Sequence, residues 1–155
     1  MTLFKEDQLA NYVVSFIHRD TQQQKHKIDL TIDEVHTFIG PGSLDFGGSE
    51  FEPANRQLIS PQKKDESDDY GWWKLPKGSY RLRMNEKIKP GNSNSIIGIL
   101  VPHEHARLAG IISESRLLAV GKEQQPLALN IHVPEPGCNI KENARVASLY
   151  IVEEY

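Results

Sequence analysis

The chain has a single cysteine among its 155 residues, Cys138. An intrachain disulfide is therefore excluded, and so is a zinc site built on several thiolates. Cys138 reads as a small buried residue rather than a reactive thiol. Strong basic runs are also missing. Clusters of Lys and Arg are short and the formal net charge is -3, so a polymeric nucleic-acid partner bound by phosphate neutralisation is not indicated. No apolar run approaches the roughly 20 residues that a membrane-spanning helix needs. The opening MTLFKEDQLANYVV lacks the basic-then-apolar order of a signal peptide. These absences leave no membrane partner to expect, and a cytoplasmic location is the default. No internal repeat is visible.

What is present is ordinary for a globular chain: 38% hydrophobic and 25% charged residues. That balance and length suit one domain with its own core over residues 1–155. Leu9, Val13, Phe16 and Ile17 fall at helical spacing, which predicts an amphipathic N-terminal helix over about residues 5–18. Ile28, Leu30 and Ile32 then alternate with Asp29, Thr31 and Asp33, the mark of a strand with one polar face. Residues 52–70 hold Pro53, Pro61 and the run KKDESDD, and read as a mobile surface loop.

The most sharply patterned stretch is Gly71–Glu86, GWWKLPKGSYRLRMNE. Leu75-Pro76-Lys77-Gly78 is a turn signal. Tyr80, Leu82 and Met84 alternate with Arg81, Arg83 and Asn85, which predicts a half-buried strand. Lys89–Asn94 is a turn cluster. Ile96–Val101 is a continuous apolar run of strand length, expected to be buried on both faces. Further strands are predicted from Gly110, over Leu127–Val133, and through Val146–Val152, with a turn at Pro134–Gly137. Short strands with turn signals between them argue a mostly β sandwich or barrel.

The central stretch also resembles a phrase of Trp, Leu, Pro, Gly, Tyr, Arg, Asn and Glu in the dCTP deaminase/dUTPase family. Three other segments are similar to family segments, in the same order. KIDLTIDEV (Lys27–Val35) resembles the early strand, GPGSLDF (Gly40–Phe46) the segment that follows it in the deaminase-like branch, and KENARVASL (Lys141–Leu149) the late strand. The resemblance implies a distorted jelly-roll of the dUTPase-like type with a short N-terminal helix. It also implies a homotrimer, a deoxypyrimidine nucleotide (dUTP or dCTP) as ligand, and Mg²⁺ as the ion of an active enzyme.

The departures from the family fall where the chemistry should be. The family follows the strand like Ile96–Val101 with a serine-rich phrase that holds the triphosphate. Here it reads Pro102-His103-Glu104-His105-Ala106-Arg107, with His103 and Glu104 in place of the serines. Arg107 can still pair with phosphate, whereas a carboxylate at Glu104 repels it. The His103/His105 pair, with His132 as a third ligand, allows a metal reading. Histidines that are solvated or capping a helix are the preferred one, so no metal site is expected. Family spacing puts Ala119 at the water-activating aspartate and Leu129 or Asn130 at the deaminase glutamate. Glu123 lies a few residues on and could substitute if the loop is built differently from the family's. The family's closing C-terminal segment has no counterpart before Tyr155. The resemblance therefore implies a nucleotide protein with weak or lost catalysis. The alternative is an active dUTP diphosphatase or dCTP deaminase working through Glu123, Glu104 and Arg107.

Overall fold

Two eleven-residue strands, β3 (Ile28–Phe38) and β6 (Gly78–Ile88), pair antiparallel at the centre of the chain. The computed structural model describes residues 1–89, 95–120 and 126–154. The turn residues 90–94 and the candidate base Glu123 lie outside that set. Tyr80, Leu82, Met84 and Ile88 are all buried on β6, as the period of two requires. The same row carries Glu86, fully buried.

The remaining strands are β1 (Thr2–Leu3), β2 (Val13–Val14), β4 (Arg56–Ile59), β5 (Trp72–Leu75), β7 (Ile96–Pro102), β8 (Ile112–Ser113), β9 (Arg116–Ala119), β10 (Pro126–Val133), β11 (Cys138–Lys141) and β12 (Arg145–Glu153). The main sheet runs β8-β10-β6-β3-β12-β7-β9, with β1, β2 and β4 added at β12, β6 and β3. A second, two-stranded sheet joins β11 to β5. Every one of these pairings is antiparallel. This is the mostly β, dUTPase-like fold that the sequence implies.

Three expectations need correction. The N-terminal helix does not run from 5 to 18. A helix α1 covers Glu6–Ala10, and Val13–Val14 instead pairs with Ile88 and Lys87 of β6. These β-branched residues suit an edge strand better than a helix interior. A second short helix, α2 (Arg19–Gln22), follows. The stretch 52–70 contains β4, which pairs with β3, and Gln62 bridges to Trp72. Finally, β7 is not buried on both faces: Ile96, Gly98 and Leu100 are buried, while Ile97, Ile99 and Val101 are half-exposed.

The central tryptophans divide their roles. Trp73 is buried and its Nε1–H donates to the Ile59 carbonyl at 2.9 Å, tying β5 to the end of β4. Trp72 is half-exposed, with the Lys64 ammonium 4.3 Å from its ring centroid. Gly137 (φ +104°) makes the turn into β11; a Cβ there would lie 2.6 Å from the Leu75 carbonyl oxygen. Among the described residues, no helix is long and apolar enough to cross a membrane.

Candidate functional site

Strand β3 lies between β6 and β12. Asp29 and Thr31 are buried on it beside Ile28, Leu30 and Ile32. A buried carboxylate needs partners. Oδ1 of Asp29 meets the Lys27 ammonium at 3.0 Å and accepts from the Ser148 hydroxyl at 3.1 Å. Oδ2 meets Arg145 Nη1 at 3.1 Å and His103 Nε2 at 3.3 Å. Burial alone would raise the pKa of Asp29. The hydrogen bond and charge of Lys27, the charge of His103 and the Ser148 hydroxyl outweigh it and hold the group below its ordinary value.

His103 ends β7's connection to a five-residue helix α3 (Glu104–Leu108) as its N-cap. Its Nδ1 accepts the His105 backbone N–H at 2.9 Å. Nδ1 is thus the acceptor and Nε2 carries the proton toward Asp29. Burial, and then the nearby Lys27, Arg145 and His105, push the imidazole pKa down, against the raising effect of Asp29. Both ring nitrogens are used inside the protein. The cap is of the kind expected for a histidine at a helix start. Glu104 and Arg107 are exposed on α3. Nδ1 of His132 faces the Ser79 hydroxyl at 3.3 Å. Among the described residues, no three His, Cys, Asp or Glu side chains form a group that could hold a metal.

A second polar centre is built on Glu86. Oε1 accepts the Thr31 backbone N–H at 2.7 Å, and Oε2 accepts the Thr31 hydroxyl at 2.6 Å and the Gln22 amide at 3.0 Å. Burial raises the pKa of Glu86, with these three donors pulling in the other direction. Gln22 Nε2 also bonds the Asp29 carbonyl at 2.9 Å, and its Oε1 takes the N–H groups of Ile17 and His18. Asn85 donates to Thr31 Oγ1 and Asn143 Oδ1. These groups knit β3, β6 and α2; their chemistry is structural. Sequence reading overlooked Glu86, although continuing the alternation of β6 by one step would have placed it in the core row.

The positions aligned with the family's carboxylates lie elsewhere, on β9 and β10. Ala119 and Asn130 are both exposed. Ala119 lines a crevice of about 290 Å³ with Arg81, Arg116, Leu117, Pro126 and Leu127. Asn130 stands opposite Arg81 across the β10–β6 ladder, its Oδ1 3.5 Å from Arg81 Nη1. Among the described residues, no carboxylate lines this crevice. The carboxylate of Glu114 accepts the Asn130 N–H at 2.8 Å. Arg83, also on β6, is held by Asp33 and Glu34, each at 2.7 Å, and Arg145 is taken by Asp29. The surroundings of Ala119 can attract an anion, but among the described residues the crevice is lined by no carboxylate or imidazole able to take a proton from water.

No family model matches the chain. A probable deoxyuridine 5'-triphosphate nucleotidohydrolase of Methanosarcina barkeri is 30% identical over 131 residues, covering 84% of this chain and 71% of its own. The corresponding protein of Methanosarcina acetivorans is 27% identical over 157 residues, covering 96% of this chain and 86% of its own. Among solved structures, a 2'-deoxycytidine 5'-triphosphate deaminase from Agrobacterium tumefaciens superposes with a TM-score of 0.61 at 14% identity. That match covers 94% of this chain and 45% of the deaminase chain.

Proposed function

This chain belongs to the dCTP deaminase/dUTPase family, and from that premise we propose that it is a cytoplasmic, trimeric deoxypyrimidine-nucleotide protein with weak or lost catalysis. The observation that carries the second half is the chemistry around Ala119 and Asn130. Hydrolysing a nucleoside triphosphate at the α-phosphate needs a base for the attacking water. Deaminating cytosine needs a proton shuttle near its amino group. Alanine supplies neither, and the asparagine amide does not exchange protons at neutral pH. A general base contributes a factor of about 10² to 10⁴ in rate. Arg107, exposed on α3, is the proposed phosphate contact, weakened by its exposed neighbour Glu104.

The trimer is supported by the outer face of the sheet edge. Leu3, Val152, Ile97 and Ala119 stand in one cross-strand row, and Tyr150, Ile99 and Leu117 in the next. Leu117 is 74% exposed. Leu44 and Phe46, in the segment between β3 and β4, are exposed too. Contiguous apolar surface of this kind suits contact with further copies of the chain. The proposed unit is one family domain over residues 1–155.

A second reading, an active dUTP diphosphatase or dCTP deaminase, draws on the names of the curated relatives. It assigns the base to Glu123, with Glu104 and Arg107 assisting and Mg²⁺ arriving on the nucleotide's phosphates. Steady-state assays with dUTP and dCTP in the presence of Mg²⁺ decide between the two. Turnover several decades below 1 per second, the low end of ordinary enzymes, is expected. Turnover near 1 per second that is abolished by Glu123→Gln would establish the second reading.

A further inference from the structure

The segment between β3 and β4 carries large apolar side chains into solvent. Leu44 is 88% exposed and Phe46 fully so. A single exposed apolar residue on a slack loop needs no explanation. This loop is pinned. The Ser43 N–H donates to the Glu52 carbonyl at 2.9 Å, and the Glu52 N–H donates back to the Ser43 carbonyl at 3.1 Å. The Ser43 hydroxyl donates to the Glu50 carbonyl at 2.6 Å. Asp45 is half-buried between the two exposed residues, and its Oδ2 accepts the N–H groups of Gly48 and Glu50 at 3.1 and 3.2 Å. Gly42 lies against the returning limb, where a Cβ would sit 2.7 Å from the Glu52 carbonyl oxygen. A hairpin held in this way presents Phe46 as a fixed knob. On its returning limb Glu50 and Glu52 are exposed beside it.

A hollow of matching character lies among α3, β11 and the start of β12. Ala106, Ile111, Ile140 and Val146 are buried around it, and the half-exposed indole of Trp72 is part of its wall. Among the described residues, no carboxylate lines it, while Lys141, Arg145 and His105 do. The ammonium groups of Lys64 and Lys141 lie 4.3 and 5.7 Å from the Trp72 ring centroid. The hollow has a volume of about 210 Å³. That is below the roughly 300 Å³ at which small-ligand sites begin, and it suits one aromatic side chain. The knob is apolar with acidic neighbours; the hollow is apolar with a basic rim. Complementary charge of this kind favours encounter and fixes the register of a contact. No hairpin residue lines the hollow, so the two are different surfaces of one chain. Two different surfaces that fit one another make a head-to-tail contact, the kind that closes into a ring, whereas a two-fold pair matches a surface with itself.

We propose that the hairpin over residues 43–52 of one copy docks on a second copy, with Phe46 seated in the hollow beside Trp72 and with Glu50 and Glu52 against its cationic rim. The inference deepens the trimeric reading above and rests on it for the closure of the ring. The contact itself joins only two copies. Phe46 is then the anchor of the interface, an aromatic side chain in a pocket ringed by polar groups that exclude water.

The lone cysteine supplies the test, because Cys138 lines the hollow. Phe46→Cys is treated with a short bismaleimide, and the joined residues are identified by mass spectrometry. Position 46 is expected to be joined to Cys138 of another copy. The two- and three-chain products on a denaturing gel should disappear when Cys138→Ser is added. In parallel, light scattering over a dilution series compares the wild type with Phe46→Ser and with Ala109→Trp, which fills the hollow from the exposed end of α3. Each should weaken association about 30-fold or more, as loss of an anchor residue does, with circular dichroism showing that both remain folded. Products that survive Cys138→Ser, or association that is unchanged in Phe46→Ser and Ala109→Trp, overturn the contact. A wild-type trimer in that case leaves the assembly reading intact. Products longer than three chains uphold the contact and reject the trimer. A wild-type monomer that gives no product overturns both.

Discussion

Nε2 of His103 lies 3.3 Å from Oδ2 of Asp29, with both side chains buried. His103 follows β7 and Asp29 belongs to β3, so the contact crosses β12, which pairs with both strands. The other nitrogen of the same ring caps α3. One imidazole therefore couples the placement of α3, and of Arg107 on it, to the centre of the sheet.

The first prediction concerns the carboxylate. Removing one partner of a fully buried ion pair costs about 3–5 kcal/mol. Here Lys27 and Arg145 are partly open to solvent, at 26% and 35% side-chain exposure, so their charges are rehydrated when Asp29 is lost. Asp29→Ala is expected to cost about 2–3 kcal/mol, discounted for that exposure. Urea denaturation measures it. A loss below about 0.5 kcal/mol, the size of an ordinary surface change, would show that the cluster is not a stabilising centre.

The second prediction is a pH dependence with a defined sign. The folded pKa of His103 is depressed below the ordinary 6.5. Its contribution to stability is therefore complete above pH 6.5 and is lost as the pH falls through the folded value. Protonation at Nδ1 also places a proton against the His105 N–H and opens the cap of α3. Asp29, depressed below 3.8, adds a second loss at lower pH. Glu86 has the opposite sign: its folded pKa is raised above 4.5, so it favours the folded state in acid and loses that contribution as pH rises. The melting temperature should fall as the pH is lowered from 6.5 toward 5. His103→Asn keeps a capping oxygen and should flatten that interval. An unchanged slope in the variant would assign the loss to another group.

How far this arrangement is visible in the sequence depends on the element. The alternation in β6 marks Tyr80, Leu82 and Met84 correctly, and the same period carries Glu86 into the core with no apolar signal to announce it. In β3 the polar set Asp29 and Thr31 reads as a solvated face. Asp29 and Thr31 are buried because side chains from elements distant in sequence, His103, Arg145 and Ser148 on Asp29 and Asn85 and Glu86 on Thr31, meet them there, a relation of topology and not of period. The run Ile96–Val101 of β7 reads as doubly buried because it is continuously apolar, yet one face is left half-open. Arg116 reaches the crevice of Arg81 only through a strand distant in sequence, and nothing in its local context announces a shared crevice. Three of the four family phrases, by contrast, lie on strands β3, β5 with β6, and β12 of the sheets, where pattern and fold agree; only Gly40–Phe46 lies outside helix and strand.

The third prediction concerns Glu86. Its two oxygens accept three hydrogen bonds from Thr31 and Gln22. Glu86→Ala leaves these donors buried without acceptors, at about 1–3 kcal/mol for each one unsatisfied. A loss on the order of 3 kcal/mol or more is expected, enough to unfold a marginal domain. Glu86→Gln retains one acceptor and should cost less than half as much. Equal losses in the two variants, measured by thermal or urea denaturation, would mean that side-chain volume and not hydrogen bonding sets the cost.

The fourth prediction takes Trp73. Its indole is 2% exposed and its N–H bonds Ile59. Trp73→Ala should cost about 3–5 kcal/mol, the range for a large core residue. Trp73→Phe fills most of the cavity but leaves the Ile59 carbonyl unpaired, so an intermediate loss is expected. Thermal melts of the three proteins give the order directly, and a Phe variant as stable as the wild type would show that the hydrogen bond contributes nothing.

The last prediction concerns assembly. In a closed ring of three copies, each copy presents two different surfaces and each contact occurs three times. A change on the outer face of β7 is therefore felt at every interface that uses it. Ile99 stands in one row with Tyr150 and Leu117 and is only half-covered in the single chain. Ile99→Glu replaces an apolar side chain, worth about 1.5–3 kcal/mol on full burial, by a carboxylate whose desolvation adds several kcal/mol. In a monomer the same side chain would stay solvated and the fold would tolerate it. The expected result by light scattering is a wild type with three times the mass of the chain and an Ile99→Glu variant with the mass of one, both retaining strand circular dichroism. A wild-type monomer at micromolar concentration would reject the trimer, and a variant trimer would move the interface away from β7.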